Sequence, residues 1–313
     1  MRIEILGAES LGVRGLSCAV RMRDRNVVID PGVALGFNRH GLMPHPVQVL
    51  ASERTRRLID DALGDATDVV ISHYHGDHIP LVDANPYQLS LERVARLSYH
   101  LRFHTKGIHD ISYKQMYRAR TLAKSIGRVL PIAEGMEDGP LCFSLAVPHG
   151  KQNNQGGTLM MTRLEEDGKV FVHASDIQML NDEAINQILA WQPNIVLASG
   201  PPIYLSSLNL QEQENALRRT LLLAQKVDTL ILDHHLMRSK KGERWLDQAS
   251  CLAGGNIVCA ADFMGNRRNL LEAERVSWYK ELPVPKDWHK HYGSGKVDVI
   301  SEWSDKIAQV KMR

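Results

Sequence analysis

The sequence predicts an α/β protein. Short apolar runs of strand length alternate with stretches in which apolar residues recur at helical spacing. The chain has 313 residues, 43% of them hydrophobic, so it can bury a large core. Several apolar runs end in a histidine or an aspartate, and open α/β sheets bind ligands beyond the carboxyl ends of their strands. These observations favour a sheet-and-helix fold with a functional site at the strand ends.

The N-terminal part is predicted to form strands around one helix. Pro-Gly after Asp30 ends the third strand, because proline and glycine favour a turn. Apolar spacing predicts a helix over 52–64, with Ser52 at its start and Gly64 at its end. The four strands are predicted at 2–7, 16–22, 26–30 and 68–72.

The rest of the chain is predicted to contain a basic helical segment and then further strands. Residues 86–128 are predicted to be mostly helical. Helices are also predicted at 181–190 and 209–226. The later strands are predicted at 141–150, 157–164, 169–176, 194–199 and 229–235.

Composition and the N-terminal residues indicate a soluble, cytoplasmic protein with no membrane partner. The first strand begins at Arg2, which leaves no room for a signal segment, and no run approaches the roughly 18 apolar residues that span a bilayer. The four cysteines are scattered without a CxxC pair, so we expect free thiols. The sequence leaves the oligomeric state open.

The stretch VVISHYHGDHIP contains the densest polar cluster, His73, His75, Asp77 and His78. Packing does not require it, because buried polar groups without partners destabilise a fold. Two imidazoles two residues apart lie on one side of an extended segment and can bind one ion. A turn at Gly76 would let the next two ligands face a second ion.

Other apolar runs end in metal-ligand residues as well. Strand ends that converge on one rim would bring these residues together. Imidazole and carboxylate suit zinc, with manganese or iron as alternatives, and the absence of cysteine argues against a structural thiolate site. The strand-end residues are Asp30, His73, His149, Asp176, His234 and His235.

HYHGDH resembles the HxHxDH signature of metallo-β-lactamase fold hydrolases, and the other strand ends match that superfamily's remaining motifs in order over roughly residues 1–240. The closest resemblance is to a mainly archaeal branch of predicted metal-dependent hydrolases. It implies a four-layer αβ/βα sandwich over 1–264. A basic helical insertion at 86–128 would lie over the site, and 265–313 would form a C-terminal extension.

The resemblance also implies a site for two divalent ions. A histidine of LDHH would complete the second site: an ungapped match favours His234, whereas a ligand followed by an apolar residue favours His235, to which we give slightly more weight. Asp77 would be the catalytic residue, orienting a hydroxide shared by both ions. The implied roles are His73, His75 and His149 for the first ion, Asp77 and His78 for the second, Asp176 as the bridge, and Asp30 as an acceptor of a hydrogen bond from a ligand.

The basic segment suggests the substrate. Residues 90–128 contain nine Lys or Arg and two acidic residues, a net charge of +7, with Tyr99, Phe103, Tyr113 and Tyr117 among them. Cations with planar rings suit phosphates and bases, so we expect a phosphodiester or another phosphorylated substrate, including RNA or DNA. The candidate substrate-binding residues are His104, Lys106, His109 and Lys151.

Three alternatives stay open. The charges of 90–128 can instead form the solvated face of a helical insert. The same metals would serve a thioesterase or lactonase that attacks a carboxyl carbon. From another class, a non-catalytic binding protein could keep the fold, although the complete ligand set argues against it.

Overall fold

Two β-sheets pack face to face in this protein, whose computed structural model describes residues 1–92, 100–151 and 157–311. The first sheet has the strand order β1-β2-β3-β4-β5. Its first three strands are antiparallel, while β3, β4 and β5 run parallel. The carboxyl ends of β3 and β4 therefore meet at one edge. The strands are β1 Arg2–Gly7, β2 Ser17–Arg21, β3 Asn26–Ile29, β4 Asp68–Ile71 and β5 Arg102–Thr105.

The second sheet has the order β14-β13-β12-β11-β10-β7-β6, and β8 and β9 form a separate ribbon. Strands β11 to β14 are parallel. The strands predicted at 141–150 and 157–164 are each divided in two. The second part of the former is β8 and the first part of the latter is β9, and these two parts pair to form the ribbon. The strands are β6 Glu137–Asp138, β7 Leu141–Phe143, β8 Val147–Pro148, β9 Thr158–Leu159, β10 Thr162–Glu166, β11 Lys169–Ser175, β12 Ile195–Ala198, β13 Thr229–Leu232 and β14 Ile257–Val258.

Helices cover the outer face of each sheet, which confirms the predicted four-layer αβ/βα sandwich. Alternation along β4 shows the layering: Val70 faces the core between the sheets, whereas Val69 and Ile71 face the core under the helices. In the described ranges, no helix combines the length and apolarity needed to cross a membrane. The helices are α1 Pro46–Gly64, α2 Tyr113–Ile126, α3 Asp182–Ala190, α4 Leu210–Ala224, α5 Lys240–Leu252, α6 Ala260–Phe263, α7 Arg275–Glu281, α8 Trp288–Gly293 and α9 Val299–Lys311.

Helix α1 begins at Pro46, six residues before the predicted start. His45 caps it: Nδ1 accepts from the Val47 amide at 3.2 Å, and Nε2 donates to the Leu282 carbonyl at 2.8 Å. Histidine is an uncommon cap, so the residues before Ser52 carry no strong start signal in the sequence.

The segment 86–128 is less helical than predicted. Strand β5 lies inside it and extends the first sheet beyond β4. The charged and polar residues of RFHT hide its strand pattern, since Arg102 is exposed while the next three residues are buried. Part of the predicted helix, residues 93–99, lies outside the described residues. The clear helix of this segment is α2.

The residues after 265 pack on α1. Trp278, Trp288 and Trp303 lie in the same apolar core as Ile59 of α1. The predicted C-terminal extension thus contributes to the outer helical layer of the first sheet.

Candidate metal centre

The residues that follow the strands meet at one edge of the two sheets. Asp30 follows β3 and the HxHxDH segment follows β4, both in the first sheet. His149 follows β8, Asp176 follows β11, and His234 follows β13 after one residue. The sequence folds this way locally because the apolar strands are buried, so their first polar residues emerge together at the rim.

A first group of donors surrounds one oxygen of Asp176. His73 Nε2 lies 3.0 Å from His75 Nδ1 and 3.4 Å from Asp176 Oδ2. His149 Nε2 lies 2.9 Å from the same oxygen. All four ligand atoms lie within 4.8 Å of one another. This group contains the three histidines predicted for the first ion.

A second group surrounds the other oxygen of Asp176. His78 Nε2 lies 3.2 Å from Oδ1, and His234 Nε2 lies 3.6 Å from it. His234 Nε2 is also 3.4 Å from Asp77 Oδ2. The structure thus brings together Asp77, His78 and His234, and Asp176 lies between the two groups.

The residues of both groups fit divalent ions. His78 Nε2 and Asp176 Oδ1 are buried and 3.2 Å apart, but their orientation does not form a hydrogen bond, and neither atom has a hydrogen-bond partner among the described residues. Such atoms are uncommon in folded proteins and point to a ligand that would satisfy them. Imidazole nitrogens and carboxylate oxygens without cysteine are donors for zinc, manganese or iron.

Of the two adjacent histidines, His234 lies with Asp77 and His78. His235 Nε2 instead lies 3.2 Å from Asp176 Oδ2, on the side of the first group. The distances therefore favour the ungapped motif match for the second site over the slight preference for His235. His235 stays close enough to Asp176 to bind either an ion or a substrate atom.

Asp30 contacts the ring nitrogen of His78 that faces away from Asp176, which is the kind of supporting contact predicted for it. Its Oδ2 lies 3.0 Å from His78 Nδ1 and accepts from the hydroxyls of Ser72 and Ser175. Its Oδ1 accepts from the Ser72 amide at 2.8 Å. Asp30 therefore fixes the ring of His78 with Nε2 facing Asp176. The two serines were missed, although each directly precedes a predicted ligand.

Three strained residues and one close backbone contact lie where the strands end at the metal centre. Asp30, Ser175 and His234 have positive φ values of 50°, 48° and 29°, a region that non-glycine residues seldom adopt. A Cβ on Gly32 would lie 2.2 Å from the carbonyl carbon of His78. The loop after β3 can approach residues 73–78, the metal-binding loop, this closely only because residue 32 has no side chain.

Burial and the mutual interactions of the cluster shift the pKa values of its members in different directions. Burial opposes the charged form of Asp176, yet the neighbouring histidines, His78 first, hold its pKa well below the ordinary value. Burial likewise opposes charge on His78, but Asp176 and Asp30 raise its pKa well above normal. Burial, followed by the charge of His78, lowers the pKa of His73 to about 3. His73 is thus neutral near pH 7, as a metal ligand must be.

Two glutamines support the first group, and both were missed in the sequence. Gln115 of α2 reaches His75, with Nε2 atoms 3.2 Å apart. Gln178 Nε2 lies 3.3 Å from His149 Nδ1. The amide oxygen of Gln115 accepts from the Tyr74 backbone amide at 3.4 Å, next to His75. Helix α2 thereby connects the basic segment to the metal centre.

The centre opens to solvent on one side. The side chains of His73 and His78 are fully buried, whereas those of His75 and Asp77 are 31% and 20% exposed. His235 is 13% exposed. A substrate would approach past these three residues.

The four substrate-binding candidates differ in their surroundings. His104 is buried and lies 2.9 Å from Asp68 Oδ1, at the start of β4 and thus at the opposite end of that strand from His73. Lys106 is buried against Glu134 at 2.5 Å. His104 and Lys106 thus contact internal acidic side chains, and their role as substrate ligands stays a prediction. His109 is exposed, and Lys151 pairs with Glu212 at 2.5 Å.

Comparisons with known proteins agree with this architecture. The family model described as "Metallo-beta-lactamase superfamily" matches residues 13–83, which include Asp30 and the HxHxDH segment. A UPF0282 protein of Methanosarcina mazei is 48% identical over 299 residues, covering 96% of this chain and 98% of that protein. The chain belongs to the UPF0282 family of the metallo-β-lactamase superfamily.

Further UPF0282 relatives are archaeal too. The protein of Pyrococcus horikoshii is 30% identical, covering 91% of this UPF0282 chain and 96% of its own length. Among solved structures, Tm1679, titled a metal-dependent hydrolase of the β-lactamase superfamily, is 15% identical. That match covers 82% of this chain and 94% of the other, with a TM-score of 0.47.

Proposed function

We propose that the protein is a binuclear metal-dependent hydrolase that acts on a phosphodiester or another phosphorylated substrate. The observation that carries the proposal is the position of Asp176, whose Oδ2 faces the first donor group and whose Oδ1 faces the second. A carboxylate in this position suits a bridge between two ions. Two-metal centres of this kind serve hydrolytic displacement at phosphorus and carbon.

The bound ions would activate water at neutral pH and polarise the substrate oxygen. The chain's own residues hold and orient the reactants. Asp77 is partly exposed beside the second group and can accept a hydrogen bond from the attacking water. Burial, then the charge of Arg238, lowers the pKa of His235 to about 4, so its neutral ring can contact a substrate oxygen at the opening.

Helix α2 supports a phosphate substrate. Arg118 donates to the Tyr74 carbonyl at 3.2 Å, and its Nη2 lies near Gly76 inside the metal-binding loop. Tyr113 and Tyr117 are 81% and 48% exposed and lie one turn apart. A guanidinium near the metal-binding loop, with exposed aromatic rings on the same helix, fits phosphate and base groups. Further exposed cations on this helix are Lys114, Arg120 and Lys124.

The test combines metal analysis with two model substrates. Purified protein is loaded with zinc, analysed by plasma emission spectrometry, and assayed with bis(p-nitrophenyl) phosphate and p-nitrophenyl acetate. We expect about two ions per chain and cleavage of the phosphodiester. Ester cleavage alone would contradict the phosphate proposal and indicate a thioesterase or lactonase. A protein that cannot bind metal would have to be a binding protein.

A matched pair of variants tests the role of α2. Arg118→Gln removes the guanidinium beside the metal-binding loop, whereas Lys124→Gln removes an exposed cation near the end of the same helix. We expect Arg118→Gln to reduce kcat/KM for the phosphodiester about tenfold or more, with metal content unchanged. Equal effects of the two substitutions would contradict a specific role for Arg118.

A further inference from the structure

The guanidinium of Arg238 lies among the donors of the second group. Its Nη2 is 2.7 Å from His234 Nε2 and 3.5 Å from Asp77 Oδ2. These are the atoms that His234 and Asp77 would offer to the second ion. Arg238 ends the short helical turn Leu236–Arg238 after β13, and its side chain is only 9% exposed. A fixed positive charge thus lies where a cation would bind.

The contact between Arg238 and His234 is not fully satisfied. The amide of Gly15 faces the other ring nitrogen, Nδ1, at 3.2 Å. A neutral imidazole has one acceptor nitrogen and one N–H, so it can accept from only one of these two donors. The guanidinium therefore competes with the Gly15 amide for this ring, and one of the two contacts is left without a hydrogen bond.

A buried carboxylate offers Arg238 another partner. Neither oxygen of Glu9 has a hydrogen-bond partner within the described chain, and the same holds for Arg238 Nε. The two groups are close, with Nε 3.9 Å from Glu9 Oε1. Glu9 Oε2 also lies 4.0 Å from His234 Nδ1. A rotation of Arg238 towards Glu9 would convert this 3.9 Å contact into direct hydrogen bonds to the carboxyl group.

We propose that Arg238 and the second metal ion compete for Asp77 and His234, and that Arg238 moves to Glu9 when this ion binds. The inference rests on the proposed two-metal centre and adds an order of loading to it. The first donor group of His73, His75 and His149 faces no such competition, because the polar contacts given for Arg238 are with Asp77, His234, Glu9 and Tyr204. The first ion should therefore bind more tightly than the second.

The test measures the affinities of both ions directly. Chelator-stripped protein is titrated with Zn²⁺ by calorimetry, and with Co²⁺ while the visible absorption of the bound ion is followed. In Arg238→Gln we expect the second ion to bind about tenfold more tightly or better, because the competing charge is gone. In Glu9→Gln we expect the second ion to bind about tenfold more weakly, because Arg238 has lost its alternative partner. The first affinity should change little in either variant.

The double variant separates this competition from general electrostatics. If Glu9 acts by receiving Arg238, Glu9→Gln has no effect on the second ion once residue 238 is glutamine. An equal effect in both backgrounds would overturn the movement to Glu9. Arg268→Gln is the control for loss of an arginine, because Arg268 pairs with Asp262 and Asp247 away from the centre. Far-ultraviolet circular dichroism checks that each variant is folded.

The outcomes distinguish this inference from the proposed function. Two ions in the natural protein with unchanged second affinity in Arg238→Gln would overturn the competition and leave the hydrolase proposal standing. One ion in the natural protein and two in Arg238→Gln would support the competition and overturn a two-metal centre in the natural chain. Two ions with the expected shifts but no hydrolysis would overturn the proposed function alone. Failure to bind any ion would overturn both.

Discussion

At the residue scale, the most informative feature of the centre is that the two oxygens of Asp176 face different donor groups. Replacing Asp176 with asparagine keeps the shape of the side chain but removes its charge and one acceptor oxygen. We expect Asp176→Asn to lose at least one ion and to reduce hydrolysis by about a hundredfold or more, since both donor groups share this residue. Metal analysis and turnover of bis(p-nitrophenyl) phosphate measure the two effects.

Asp182→Asn is the matched control for that substitution. Asp182 is an exposed carboxylate six residues further along the chain, paired with Arg219. Surface pairs of this kind contribute little, so metal content and turnover should match those of the natural protein. Full metal content in Asp176→Asn would contradict the bridging role.

A second residue-scale prediction concerns His45 and pH. Burial lowers its pKa from 6.5 to about 4, with smaller contributions from His289 and Arg275. Its Nδ1 accepts from the Val47 amide, so a proton there would break the cap. The folded state thus binds this proton less readily than the unfolded state. The associated stability is complete above pH 6.5 and is lost as pH falls towards 4, by about 2 kcal/mol between pH 7.5 and 5.

The matched variant is His45→Asn, which keeps a side chain that caps helices but does not titrate. Urea unfolding at pH 7.5 and pH 5 gives the loss of stability for each protein. The natural protein should lose more than the variant over this interval. Equal losses would show that His45 does not contribute to the pH dependence, because the histidines of the metal centre are common to both proteins.

Much of the centre could be predicted from the sequence, because its histidines and aspartates follow apolar runs of strand length. This rule located Asp30, His73, His149 and Asp176. It left His234 and His235 unresolved, because both follow the same strand and only the fold shows which ring lies beside Asp77. It also missed Glu9 and Arg238, whose proximity joins segments more than 200 residues apart. The internal acidic partners of His104 and Lys106, Asp68 and Glu134, could not be seen in the sequence either, because they are not sequence neighbours.

At the element scale, the contact between the loop after β3 and the metal-binding loop can be tested with glycine substitutions. Gly32→Ala would place a methyl group within 2.2 Å of the His78 backbone, so one of the loops must move. We expect a loss of about 2 kcal/mol or more in the free energy of unfolding, together with weaker metal binding. Chemical denaturation and metal titration provide the measurements.

Gly64→Ala is the control at the end of α1. A Cβ there meets nothing within 4 Å, and its helical conformation suits alanine. This variant should be as stable as the natural protein or slightly more so. If both alanine variants bind metal normally, the close contact at Gly32 is not required to shape the centre.

The elements also show where sequence patterns fail. Strong apolar runs such as β3, β4 and β13 were predicted correctly in place and type. The short edge strand β5 was not, because most of its residues are polar and its pairing with β4 becomes visible only in the fold. Helix α1 began earlier than predicted because tertiary contacts of His45 with Leu282 stabilise an unusual cap.

At the scale of the whole molecule, the metal centre joins the two sheets. The HxHxDH ligands follow β4 of the first sheet, while Asp176 and His234 follow β11 and β13 of the second. Bound ions would therefore connect both halves of the sandwich. The unfolded chain has no preformed site, so binding stabilises the fold by about 2.7 kcal/mol at a free metal concentration of 100 times Kd.

We therefore expect chelation to lower the melting temperature of the zinc-loaded protein by about 5 °C or more. Differential scanning calorimetry with and without EDTA measures this shift, after metal analysis confirms that the ions have been removed. Asp176→Asn should respond less, because its site is incomplete. A melting temperature that does not change on metal removal would contradict a structural link between the sheets.

The packing of α7, α8 and α9 on α1 has a consequence for synthesis of the chain. The apolar outer face of the first sheet is made early, from strands and a helix within the first 71 residues. Its cover includes Trp278, Trp288 and Trp303, which leave the ribosome more than 200 residues later. This apolar face therefore stays partly uncovered until residues 278–303 have been translated. During that time it is available for aggregation or for binding by a chaperone.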